Sequence, residues 1–399
     1  MPKYATNNSL AKNVKVQLVA GAVADNLDYV RSSVSKMSQG DFKGKKYGTS
    51  YNLYIADPGH VEEGLCAKPD SVTEVQTEIT LKNFNTSVAL NAWEELGGIE
   101  DFTREIAKPK GILLARYMQK DIVKSNAFKN MQAVVGTASF GVLSEASAKL
   151  NELAVGGEVV SFMHPTVMGT ISASGLANFI PSQNAKEIYS DNYLGQYAGA
   201  AQIQLATLPV IKTPSTMPSA TITLTPVPDS ENNVIGFEAV NSISGTGLVA
   251  GLVYKADGLK IVDQTGIETD QDVAITVLDS TGKINPLRIT IEGNAFGNPN
   301  AWVADGVTTL TLTPVLEANT EYYVGQVRTR DALAFDSYKF GTLPGSSGNE
   351  DVATVGNVTV RMSMYGEGDC LEKLIRLDAP HASGIWEPRS CVGVYVKKA

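Results

Sequence analysis

The runs "ATITLTPVPD" (Ala220–Asp229) and "TTLTLTPVLEA" (Thr308–Ala318) share the pentapeptide TLTPV, at Thr223–Val227 and again at Thr311–Val315. Both alternate a threonine with an aliphatic residue, the two-residue period of a half-buried strand. A proline follows the alternation in each, and proline cannot donate to a sheet, so it belongs at an edge or a strand end. Two copies do not make a repeat architecture, which needs three or more at a fixed period. They are expected instead to stand near the entry and exit of one inserted β-domain, their likeness being convergent strand chemistry.

Charge sets apart the segment they bracket. Thr216–Thr320 holds 12 Asp and Glu against 4 Lys and Arg, a net of −8, and contains no Cys or His. The other 294 of the 399 residues carry 30 acidic and 29 basic groups. Inside the segment the runs "GLVYKADGLKIVD", "DVAITVLDSTGKI", "PLRITIEG" and "GVTTLTLTPV" follow the Pro/Ser/Thr-rich linker "TPSTMPSA". Turn residues recur about every 8–12 positions, the spacing of an all-β barrel or sandwich. The acidic excess opposes tight contact with nucleic acid and favours an outward-facing surface.

Outside this segment, helical and strand patterns alternate, which predicts an α+β body. Ser9–Met37 reads as one amphipathic helix through Val16, Val19, Val23, Leu27, Val30, Val34 and Met37. Residues 40–65 are glycine-punctuated, with aromatic β-type stretches too poor in apolar residues to form a core, and so read as an extended arm that lies on something else. Thr73–Phe84 alternates as a strand. A helical region covers Ile99–Lys124, with Pro109 opening its second part, since the first turn tolerates the missing N–H. A helix over Val142–Leu153, a buried strand "EVVSFM", a helix near Pro165 and the strand-like "AAQIQLATLPVI" follow.

Chain length predicts two or three domains, and hydrophobic (43%) and charged (19%) contents are those of a globular protein. The polar start "MPKYATNNSLAKNVK" and the lack of long apolar runs predict neither a secretory signal nor a membrane span, so the sequons at Asn7, Asn85 and Asn357 carry no weight. Cys66, Cys370 and Cys391 are odd in number and scattered, as reduced structural thiols are. His60, His164 and His381 have no metal-ligand spacing, and no GxSxG elbow, P-loop or HExxH is present. Glu62–Glu63 and Glu94–Glu95 read as solvated faces. Lys43, Lys45 and Lys46, interleaved with Phe42 and Tyr47, form a footprint too weak for nucleic-acid recognition and read better as a contact with an acidic patch on a neighbouring subunit. The expectation is of a protein that is not an enzyme and takes no cofactor or metal.

The order of these parts resembles the major capsid proteins of tailed phages, the Hong Kong 97-type fold. It is most similar to coat proteins of short-tailed lambdoid phages, which carry an inserted telokin-like β-barrel. "HPTVMGTISASGLANF" (His164–Phe179) is similar to a family stretch, and Leu208–Thr213 resembles the short strand that precedes the insertion. "EKLIRLDAPHASGIWEPRSCVGVYV" is similar to the family's terminal strands, matching at Arg376, Asp378, Gly384, Pro388 and Val394, with Glu387–Pro388 in the reverse order to the family's usual pair.

The resemblance implies an N-terminal arm and helix (1–39), an E-loop (40–65) and a peripheral domain with a spine helix (66–130). It also implies an axial domain in two parts (131–215 and 321–399, the latter closing the peripheral sheet) and the inserted acidic β-domain (216–320). Lys43, Lys45, Lys46, Tyr47 and Tyr51 would then be E-loop contacts to the adjacent subunit. The implied partners are the chain itself in pentamers and hexamers, a scaffolding protein, a portal, a decoration or cement protein, and packaged double-stranded DNA held non-specifically, with no membrane. The implied location is the virion capsid, after assembly in the host bacterial cytoplasm. The competing readings are a β-rich surface adhesin and an enzyme with an inserted β-domain.

Overall fold

A computed structural model describes residues 7–35, 50–56, 74–91, 107–153, 156–175, 196–294, 297–338, 350–367 and 372–398. Helices α1 (Asn7–Asp25) and α2 (Asp28–Arg31) come first, then strands β1 (Ser50–Ala56) and β2 (Glu74–Asn91) and helix α3 (Lys108–Asn126). Next are β3 (Gln132–Gly136), α4 (Phe140–Glu152), β4 (Val159–Met163), α5 (Pro165–Gly175), β5 (Gln196–Tyr197), β6 (Ala200–Gln204) and β7 (Val210–Lys212). Nine strands follow: β8 (Ala220–Thr223), β9 (Pro226–Pro228), β10 (Val234–Ser242), β11 (Ser244–Gly245), β12 (Val253–Val262), β13 (Glu268–Thr276), β14 (Lys283–Ile291), β15 (Ala301–Val303) and β16 (Thr309–Pro314). The chain closes with β17 (Glu321–Thr329), β18 (Leu333–Ser337), β19 (Glu350–Val355), β20 (Val358–Glu367), β21 (Glu372–Ile385) and β22 (Cys391–Lys397). The protein is strand-rich with few helices, an α+β chain.

The described chain divides into two compact units. One draws on Met1–Asn52, Glu78–Ile122 and Ala334–Gly384. Its six-stranded sheet runs β1-β2-β21-β20-β19, with β18 also paired to β21. The long strand β21 is hydrogen-bonded on both sides, to β2 from Leu81↔Ala382 to Asn91↔Glu372 and to β20 from Arg361↔Asp378 to Glu367↔Glu372. The predicted single helix Ser9–Met37 is in fact broken. Asn26 donates its side-chain amide to the Ala22 carbonyl at 2.8 Å, occupying an end carbonyl and closing α1.

The other unit takes in Leu53–Thr77, Val123–Leu333 and Ile385–Ala399. It has a seven-stranded sheet of order β3-β22-β17-β4-β6-β5, with β7 paired to β17. Helices α4 and α5 supply Leu143, Ala146, Leu150, Val167 and Ile171 to a core shared with Val327, Val392 and Val394 of that sheet.

Its second sheet is built only from strands within Ala220–Pro314, in the order β11-β8-β16-β12-β15-β14-β10-β9, with β13 on β12. The chain leaves from β7 and returns on β17, which are paired at Glu321↔Lys212 and Tyr323↔Val210. Thr213 clasps the two ends: its N–H donates to the Thr320 carbonyl at 3.0 Å and its hydroxyl accepts from Thr320 N–H at 2.8 Å.

The two TLTPV runs supply the first and last strands of this sheet, and each proline falls at a strand end or edge as expected; their mutual pairing was not foreseen. They pair with each other, Thr309↔Thr223 through Leu312↔Ala220, in the interior of the sheet order. The first copy is divided, since β8 stops at Thr223 and Pro226 opens the short edge strand β9. In the second copy Pro314 is the last residue of β16, opposite Tyr254. Ile222, Leu224, Leu310 and Leu312 point into the apolar core of this sheet while the threonines stay outside.

Candidate functional site

Of the residues singled out in the sequence, Lys43, Lys45, Lys46 and Tyr47 lie outside the described residues, as do His60, Cys66, Cys370 and both glutamate pairs; only the backbone of Tyr51 is described, in β1. The C-terminal residues are all placed, in or between the last two strands.

Asp378 is fully buried on β21. Its Oδ1 accepts from Asn83 Nδ2 of β2 at 3.0 Å and from Arg376 Nε at 3.0 Å, and its Oδ2 accepts from Arg361 Nη2 of β20 at 2.9 Å. Glu350 of β19 stands 4.0 Å from Arg361 Nη1. Burial alone would raise the Asp378 carboxyl; the bonds from Asn83, Arg361 and Arg376 outweigh it and hold the group below the usual carboxylate value. A buried charge on a central strand is tolerated only with such partners.

Gly384 lies further along β21. A Cβ there would sit 2.8 Å from Ile79 Cδ1, so the glycine lets β2 pack closely. Pro388 opens a 3-10 turn over Pro388–Ser390, and its carbonyl accepts from Met131 N–H at 3.3 Å.

That turn carries a constellation the sequence did not announce. Arg389 is buried and forms a two-pronged pair with Glu387, Nε to Oε1 at 2.9 Å and Nη2 to Oε2 at 3.0 Å. Its Nη1 donates to the carbonyls of Val262 (3.2 Å) and Asp263 (2.6 Å), at the end of β12. The C-terminal turn is thereby fastened to the acidic segment. Burial pulls the nearby Arg288 guanidinium down to about 10, against the attraction of Glu387. Burial also pushes the Cys391 thiol up to about 12, which makes it a packing residue.

A second polar hub surrounds the end of α3. Gln326 Nε2 donates to Asn130 Oδ1 at 2.7 Å, Asn126 Oδ1 accepts from Ile385 N–H at 3.1 Å, and Asn285 Nδ2 donates to the Asn130 carbonyl at 3.1 Å. Asn285 belongs to β14, so this hub too engages the acidic segment.

The described histidines are packing residues. His381 is buried, stacked 5.5 Å from Phe84 at an 18° interplanar angle, and burial holds it below its ordinary value. His164 stacks on Tyr323 at 4.5 Å and accepts from Thr166 N–H. Among the described residues no group of three His, Cys, Asp or Glu is placed to hold a metal, and no helix is long and apolar enough to cross a membrane.

No family model matches the chain, and no curated protein does. Among solved structures it is similar to one from Mycobacterium phage Che8, at 9% identity and a TM-score of 0.45, covering 92% of this chain and 90% of that one. The capsid of the cyanophage P-SCSP1u is similar at 10% identity and a TM-score of 0.47, covering 92% and 86%. The virus-like particle of Pyrococcus furiosus is similar at 9% identity and a TM-score of 0.40, covering 94% and 97%. Likeness at this level does not carry a function over to this chain.

Proposed function

We propose that this chain is a major capsid protein of a tailed phage, with the Hong Kong 97-type fold, that assembles with copies of itself into a closed icosahedral shell around a genome. The observation that carries the reading is the placement of the C-terminal stretch. The text that resembles the capsid family supplies β21, flanked on both sides in one sheet, and β22, flanked on both sides in another. Of its matched residues, Arg376 and Asp378 form an ion pair on β21 and Gly384 lets β2 approach it, so the resemblance falls partly on residues with structural reasons to be there.

In this reading residues 216–320 are a barrel-like domain inserted at the β7–β17 pair, related to the telokin-like insertions of lambdoid coat proteins. The domain boundaries are those given above. Lys43, Lys45, Lys46, Tyr47 and Tyr51 belong to the E-loop that lies on the next subunit. A scaffolding protein, a portal and a decoration protein are the remaining partners, and DNA is held without sequence preference. The protein works by surface complementarity and catalyses no reaction.

Electron microscopy of the full chain, produced together with its scaffolding partner, tests this. Closed shells of pentamers and hexamers are expected. A chain that stays monomeric at high concentration with that partner present overturns the reading.

A further inference from the structure

Helix α3 buries Leu114, Ala115, Met118 and Ile122 and exposes the opposite side. At about 100° per residue, Leu113, Arg116, Tyr117, Lys120 and Lys124 fall within an arc of about 100° on that exposed side. Arg116, Lys120 and Lys124 are exposed, as are Leu113 (43%) and Tyr117 (59%). The three cations follow one another at four-residue steps, about 6 Å apart along the axis.

Nothing in the helix balances this strip. Its sequence, KPKGILLARYMQKDIVKSN, carries five Lys and Arg against one acid, Asp121. That carboxylate is taken by Lys82 of β2 at 2.6 Å. Like charges four residues apart oppose helix formation. Lys108 and Lys110 add positive charge to the first turn, where the helix dipole is already positive and no acid stands. A helix tuned for stability alone would place acids in that turn and alternate signs along the strip. α3 does neither, so its charge answers to a partner outside the helix.

The pattern of the charge says what that partner is. Cations repeated at one pitch along a rod fit a continuous line of anions, and the backbone of a nucleic acid is such a line. The Arg116 guanidinium can fork onto two phosphate oxygens, the lysines meet phosphates as point charges, and the Tyr117 hydroxyl is a further donor. The strip holds no Asn or Gln to pair with a base edge, so it reads no sequence.

We propose that the Arg116–Lys120–Lys124 strip of α3 holds the phosphate backbone of nucleic acid. The proposal rests on the reading of the chain as a shell around a genome, and gives that genome a place to lie. Because the whole chain carries −9, contact with one copy is weak, and a shell gains strength by repeating it.

The test needs no shell. The unassembled full chain is titrated into a fluorescent DNA duplex of about 30 base pairs, and anisotropy is read from about 25 to about 200 mM salt. Wild type is expected to bind duplexes of unrelated sequence alike, with log K falling against log salt at a slope of about −3, one phosphate per cation. Arg116→Gln with Lys120→Gln is expected to bring the slope to about −1 and to weaken binding at low salt about tenfold or more. Arg116→Lys with Lys120→Arg keeps the charges and is expected to keep the slope. Lys397→Gln with Lys398→Gln removes as much charge from an exposed pair bonded to Glu317 and Glu321, and is expected to leave the slope as in wild type. The proposal is overturned by a wild-type chain that does not bind at low salt, or by a charge-keeping swap as weak as the glutamine pair. Equal weakening by the Lys397 and Lys398 pair also overturns it, since net charge would then be the cause. So does displacement of the duplex by polyglutamate as readily as by unlabelled DNA, which would make the partner an acidic polypeptide. None of these outcomes bears on whether shells form, which electron microscopy decides separately.

Discussion

Asp378 shows what one residue on a central strand has to satisfy. Its carboxylate sits between three strands and is held by Asn83, Arg361 and Arg376. Replacement by Asn keeps the shape and removes the charge, taking the ionic contact at 2.9 Å away from the buried Arg361 guanidinium. Breaking a buried pair in this way costs about 3–5 kcal/mol, so Asp378→Asn is expected to lower the urea midpoint of the unassembled chain strongly at neutral pH. The folded carboxyl lies below its ordinary 3.8, so the stability it contributes is present above that value and is lost as pH falls through the folded value. The gap between variant and wild type should therefore narrow below about pH 4, the ordinary carboxylate range; a gap that is the same at pH 7 and pH 3.5 would show that the charge is not what matters. Arg376 and Asp378 were legible as neighbours two apart on one strand. Arg361 and Asn83 were not, because cross-strand register depends on pairing between distant segments and leaves no local mark.

At the scale of elements, strand and helix types read well wherever the apolar period was long, as in α4, β12 and β16, and boundaries read less well. α1 ends at Asp25 because Asn26 turns its amide back on the helix, a local choice that the continuing Val30–Val34 spacing hides. The TLTPV runs were legible as strand text, but not as partners of each other. Close packing between elements is also silent in sequence, as Gly325 shows. It lies on β17 between β22 and β4, and a Cβ there would fall on Met163 Sδ and 2.8 Å from the Phe162 carbonyl oxygen. The backbone oxygen cannot move without breaking the β17–β4 ladder that starts at Gln326↔Phe162. Gly325→Ala is expected to destabilise by about 1–3 kcal/mol, the usual effect of overpacking. Gly306→Ala, at a positive-φ turn with nothing within 4 Å of the added carbon, provides the contrast: backbone strain without a clash. Thermal denaturation of both variants decides the matter, and a Gly325→Ala protein that melts with wild type would mean that the β4 edge yields.

At the scale of the whole molecule, the question is how far the acidic segment stands alone. Composition pointed to a separate domain, and its strands pair only among themselves, which favours autonomy. Its core nevertheless takes in Met131 and Leu153 from outside the segment. The carbonyls of Val262 and Asp263 are satisfied by Arg389, and Ala274 N–H donates to the Met131 carbonyl at 2.9 Å. Excision of 213–320 keeps the Thr213–Thr320 clasp and removes all of these. It exposes part of an apolar core and returns three backbone groups to water, each worth about 0.5–1.5 kcal/mol as a net hydrogen bond. The excised segment is therefore expected to give a dispersed amide spectrum and to sediment as a monomer, its net charge of −8 opposing association. It should unfold at clearly lower denaturant than the same segment does within the full chain, and Met131→Ala and Arg389→Ala in the full chain should each move the segment part of the way towards that value. A collapsed, undispersed spectrum would mean that the segment folds only on the body; an excised segment as stable as the parent would mean that the Arg389 turn and the Met131 contact are spectators.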